Sequence, residues 1–116
     1  SDKAALTAEH FRNVGAPTGL PVAELAVDGP IRTHMRNNTP VADAVAQERE
    51  VLDVVAGLLA ATPSIGAIVA ECANLPPFSA AVSRRFGLPV YDIVTLVDWL
   101  HASLAPRRFP GRPRDL

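Results

Sequence analysis

Apolar residues recur at helical spacing in two long stretches of the chain and run continuously in two short ones. In the first long stretch Val41, Val45, Leu52, Val55 and Leu59 share a helical face. Val51 and Leu58 widen the stripe, and Asp43, Gln47, Glu50 and Asp53 decorate the other side. Thr39-Pro40 opens this predicted helix, Asp43 suits the positive end of its dipole, and Thr62-Pro63-Ser64 closes it. The second long stretch carries Ile93, Leu96, Val97, Leu100 and Leu104 between a cap at Asp92 and a stop at Pro106.

The continuous run Gly66-Ala67-Ile68-Val69-Ala70 reads as a strand buried on both faces, the habit of parallel sheets. Leu88 to Tyr91 reads as a second short strand, and Val22 to Val27, closed by Asp28-Gly29-Pro30, as a third. Leu75-Pro76-Pro77 leads into a helix through about Phe86, with Gly87 as its stop. A short helix capped by Thr7 and ended by Gly15 begins the series. Residues 31–39 are polar apart from Ile31 and Met35 and fit no element. The resulting order, α-β-α-β-α-β-α, predicts right-handed crossovers and an α/β fold: a parallel sheet with helices on both faces, three-layer α/β/α. Three strands are few for such layers, which points to missing neighbours.

The 116 residues suit one domain, expected over 1–106, with an Arg/Pro-rich and disordered tail over 107–116. Net charge is −1 and no basic cluster interrupts the body, so neither a nucleic-acid partner nor a membrane surface is expected. The tail arginines lack an aromatic platform and read as solvated. The single cysteine, Cys72, excludes an internal disulfide framework and a Cys-rich zinc site. His10, His34 and His101 have no ligand spacing, so no metal is expected. Neither a membrane-length apolar stretch nor a signal pattern is present, and the expected location is cytoplasmic.

In open α/β sheets ligands bind beyond the carboxyl ends of the strands. Cys72 follows the central apolar strand, and Asn74 to Pro77 starts a helix just after it. A helix start attracts carboxylates and favours a thiolate nearby. Two roles are therefore open to Cys72: a reactive thiolate beside a bound acid, or a small core hydrophobe. Asp92 either orients a substrate ammonium or caps its helix, and Thr95 either touches a ligand or packs and caps.

The runs Glu71-Cys72-Ala73-Asn74-Leu75-Pro76-Pro77-Phe78 and Gly87-Leu88-Pro89-Val90-Tyr91-Asp92-Ile93-Val94-Thr95-Leu96 resemble the C-terminal lobe of the aspartate/glutamate racemase superfamily, in its racemase-like and hydantoin racemase-like branch. The resemblance is close over residues 66–100, looser over 5–65, and absent after Pro106. It implies one lobe of a two-lobe fold and a cofactor-independent isomerase. In that family one cysteine from each lobe moves a proton at the carbon α to a carboxylate, with no pyridoxal phosphate and no metal. Cys72 maps onto the second-lobe acid/base. The backbone N–H groups of Ala73, Asn74 and Leu75 map onto the binding site for a small carboxylate substrate such as an amino acid, with Asp92 and Thr95 nearby.

Two departures stand out. Ala73 replaces a common threonine, and neither a second cysteine nor a first lobe is present. Two-base racemisation needs groups on opposite faces of the substrate. The chain alone is therefore expected to be inactive as a racemase, completed by a missing N-terminal lobe or by homodimerisation. The alternatives are a single-cysteine decarboxylase of the arylmalonate type, and a non-catalytic domain that binds a small acid or dimerises as a subunit.

Overall fold

The structure, a computed structural model, describes residues 3–110. Five helices follow a 3-10 turn at Lys3–Ala5: α1 (Ala8–Asn13), α2 (Pro30–Asn37), α3 (Ala44–Ala61), α4 (Pro76–Phe86) and α5 (Ile93–Leu104). Two strands, β1 (Ile68–Val69) and β2 (Val90–Tyr91), pair in parallel, Ile68 opposite Val90 and Val69 opposite Tyr91. The expected three-layer α/β/α fold is therefore corrected to a mostly helical one with a two-stranded sheet.

The third expected strand, Val22 to Val27, does not form. Within it only Val22 and Leu25 are partly buried, a spacing of three that the two-residue alternation of a strand cannot supply. The two strands that do form are shorter than their apolar runs, because pairing extends only from the Ile68 N–H to the Pro89 carbonyl (2.9 Å) and from the Ala70 N–H to the Tyr91 carbonyl (2.8 Å).

Helix α3 starts at Ala44, later than Thr39-Pro40 suggests. Asp43 is its N-cap and accepts the Ala46 N–H at 3.0 Å, satisfying a donor that a helix start otherwise leaves bare. Thr39 is engaged elsewhere, with its Oγ1 2.6 Å from His34 Nδ1. The buried row of α3 is Gln47, Val51 and Val55, one residue per turn. Val41 and Val45, expected on the core stripe, are exposed.

Helix α2 occupies the stretch that fitted no element. Gly29 is its N-cap and Pro30 fills the first turn, where a missing N–H costs nothing. Its start is held from a distance: Glu50 of α3 accepts the Ile31 N–H at 3.1 Å. A Cβ on Gly29 would run into the Glu50 carboxylate, so any side chain there obliges that carboxylate to move. Asn38, at φ +47°, ends the helix in the left-handed conformation that Asn tolerates.

The core joins Ile31 of α2, Val51 and Val55 of α3, Ile68 of β1, and Phe78 and Val82 of α4. Helix α5 contributes no buried residue, and its Trp99 and Leu104 are 71% and 83% exposed. The sheet thus lacks the second covering layer that the alternating pattern implied. The molecule is drawn out, 60 × 38 × 25 Å. Its radius of gyration of 17.9 Å exceeds the about 13 Å of a compact chain this long. Among the described residues no helix is long and apolar enough to cross a membrane. Of the expected tail, residues 107–110 are exposed and outside any helix or strand, and 111–116 lie outside the described residues.

Candidate functional site

Cys72 sits in the turn that follows β1, on the loop that delivers the chain into α4. Its carbonyl accepts the Leu75 N–H at 3.0 Å, which closes the turn. The thiol is partly exposed, and the Asn74 side-chain amide donates to its sulfur at 3.7 Å. Cys72 is not a member of the buried core cluster.

The helix that follows offers less to an anion than its position suggests. Pro76 and Pro77 occupy the first turn of α4 and have no N–H. The Phe78 N–H turns back to the Leu75 carbonyl at 2.9 Å, and the Leu75 N–H is taken by Cys72. Of the three backbone donors expected to hold a carboxylate, Leu75 is thus spent within the loop. The N–H groups of Ala73 and Asn74 meet no acceptor among the described residues.

Residues of a different element share a cavity with Cys72. Cys72 lines a cavity of about 240 Å³ whose apolar wall includes Leu25, Ile31 and Met35, and whose charged wall is Arg32 and Arg36. The two arginines stand one turn apart on α2 and so share a face. Arg32 lies 3.4 Å from the Glu24 carboxylate. Arg36 lies 3.5 Å from Asp28 and donates to the Val27 carbonyl at 2.6 Å. These contacts engage both guanidinium groups with neighbouring acceptors. Arg32 and Arg36 escaped sequence reasoning because α2 did; the legible signal was Gly29-Pro30 followed by Ile31 and Met35 at i, i+4.

Asp92 follows β2 at the same end of the sheet as Cys72 follows β1, since the strands are parallel. It is buried and serves α5 as N-cap, with its Oδ1 accepting the Thr95 N–H at 2.8 Å. Thr95 reciprocates, its Oγ1 accepting the Asp92 N–H at 2.9 Å, a capping box. Ser79 of α4 donates its hydroxyl to Asp92 Oδ2 at 2.6 Å. The Ser79 and Thr95 hydrogen bonds hold the Asp92 carboxyl below the usual carboxylate range, against the opposing effect of burial. Both residues thus have well-satisfied local roles, and Ser79 is the third member that the sequence did not suggest.

The stabilisation from Asp92 is complete above the ordinary aspartate pKa of about 3.9 and is lost as pH falls below it through the lowered native value. Asp92→Ala should cost roughly 1–2 kcal/mol and flatten that acid limb. Amide exchange over residues 93–97, which should quicken in the variant, checks this.

The histidines do not assemble. His10 Nδ1 accepts the Thr7 N–H at 3.1 Å in a local cap, His34 meets Thr39, and His101 lies on exposed α5. Among the described residues no three His, Cys, Asp or Glu side chains are grouped as a metal ion requires.

A single small cavity thus has a thiol, Cys72, and two cationic side chains, Arg32 and Arg36, in its lining. Comparison with known proteins finds partial relatives. The chain is 34% identical over 70 residues to dimethylsulfoniopropionate lyase 5 of Emiliania huxleyi (strain CCMP1516), covering 53% of this chain. It is 48% identical over 42 residues to a dimethylsulfoniopropionate lyase of Durusdinium sp. clade D, covering 36% of this chain. The chain spans 14% of the length of each relative. No protein-family model matches it, and neither does any solved structure. Both relatives are named as lyases, which corrects the aspartate/glutamate racemase resemblance and the isomerase function drawn from it. The arylmalonate-type decarboxylase alternative likewise has no support.

Proposed function

We propose that this chain carries the thiol-bearing part of a lyase acting on dimethylsulfoniopropionate or a close β-substituted propionate. The observation that carries the proposal is that Cys72, Arg32 and Arg36 line one cavity. At about 240 Å³ the cavity lies below the roughly 300–1,000 Å³ typical of drug-sized ligands and suits a short acid.

The chemistry follows from the groups. Dimethylsulfoniopropionate has a carboxylate at one end and a dimethylsulfonium on the carbon β to it. Arg32 or Arg36 pairs with the carboxylate, assisted by the N–H groups of Ala73 and Asn74, and thereby offsets the negative charge that builds on it as the α-proton leaves. The Cys72 thiolate takes that α-proton. The C–H electron pair becomes the Cα–Cβ double bond, the Cβ–S bond breaks, and its pair leaves with sulfur. The products are acrylate, neutral dimethyl sulfide and a protonated Cys72. One base on one face suffices, so the second cysteine that racemisation demands has no counterpart in the scheme.

The test is protection of the thiol. Iodoacetamide alkylation of Cys72, followed by mass spectrometry, should slow several-fold in millimolar dimethylsulfoniopropionate or acrylate and be unaffected by equal concentrations of a neutral amide. Alkylation indifferent to either acid would overturn the assignment.

A further inference from the structure

We propose that Glu50 is a positioning residue of this site: its carboxylate sets the start of α2 and thereby holds Arg32 and Arg36 opposite Cys72. The inference rests on the thiol-and-arginine reading of the cavity, but it does not depend on which acid occupies it. Glu50 Oε2 accepts the Ile31 N–H, the residue immediately before Arg32. Glu50 Oε1 is buried and meets no donor among the described residues. It lies where a side chain on residue 29 would begin, so Gly29 leaves room for it.

A buried oxygen without a donor is costly, and simple helix capping does not require it. A Ser or Asp at position 29 would cap α2 from within its own segment. Here the acceptor comes from α3, 19 residues away in sequence, so the contact ties one helix to another. Val51 and Val55 anchor α3 in the same core as Ile68, the strand residue that leads to Cys72. Glu50 therefore references the arginine-bearing helix to the framework that carries the thiol. Its negative charge at the start of α2 also matches the helix dipole.

The ratio of alkylation rates of Cys72 with iodoacetate and with iodoacetamide reads the positive charge at the sulfur, because thiolate content and access cancel between the two reagents. Loss of a nearby carboxylate would by itself raise that ratio; displaced arginines lower it. Glu50→Ala should lower the ratio about fivefold, the scale of one solvent-screened charge near contact distance, and Glu50→Gln, whose carbonyl can still accept from Ile31, should stay within about twofold of wild type. Gly29→Ala keeps the Glu50 charge but drives the carboxylate from its seat, and should reproduce the fall.

A ratio unchanged or raised in Glu50→Ala, with native circular dichroism, overturns the proposal. If that variant does not fold, Gly29→Ala decides on the same criterion. Unfolding of both also overturns the proposal, since it makes Glu50 a residue of stability alone. If the ratio falls but dimethylsulfoniopropionate fails to protect wild-type Cys72, the positioning role stands and the substrate reading falls. Protection with an unmoved ratio gives the reverse.

Discussion

On the lyase reading proposed above, Cys72→Ala should cut release of dimethyl sulfide from dimethylsulfoniopropionate by roughly 10²- to 10⁴-fold, the usual contribution of a positioned base. Headspace gas chromatography on the purified chain measures it, with acrylate quantified in the same samples. The loss should come without unfolding. The thiol is partly exposed and stands outside the core cluster, so its removal should change stability by no more than about 0.5 kcal/mol. Cys72→Ser keeps the side-chain size and should be nearly as inactive, because a hydroxyl does not ionise where a thiol does. Release by Cys72→Ala at the wild-type rate would remove sulfur from the chemistry.

Phe78→Ala should be the most damaging change to the fold. Phe78 is 7% exposed and packs in the cluster formed by Ile31, Val51, Val55, Ile68 and Val82. Truncating a buried phenylalanine costs about 3–5 kcal/mol, against a total stability of about 5–15 kcal/mol for an ordinary domain. Among the described residues the core is this one small cluster, so little else can absorb the loss. Urea denaturation should show a large fall in midpoint. Leu104→Ala, on the exposed end of α5, should leave the midpoint near wild type.

Local signals were the legible ones. Thr7 and Asp92 cap the helices they were expected to cap, and Gly15 and Gly87, at φ +68° and +67°, lie just past the ends they were expected to mark. Each of these depends on residues within one turn of itself. The strands were overestimated because an apolar run states where a chain wants to be dry, whereas pairing depends on how far a partner accompanies it. Helix α2 was missed for the converse reason. Its local signs were Gly29-Pro30 and the Ile31–Met35 spacing, and the glutamate that holds its start lies on another helix, outside any window around residues 30–37.

The same gap explains the site. Cys72 and its turn were readable from a strand, a small loop and a proline-led helix. The arginines that line the same cavity were not, since they come from α2. The family resemblance rested on the runs around Cys72 and Asp92, which encode a supersecondary unit. Such a unit does not by itself specify a reaction.

The elongated envelope has a practical corollary for hydrodynamics. A radius of gyration of 17.9 Å is what a spherical protein of roughly 250 residues would have. On a gel-filtration column calibrated with spheres, a single copy will therefore elute with about twice its true mass and imitate a pair. Counting subunits in this protein requires a shape-independent measurement, such as static light scattering or sedimentation equilibrium.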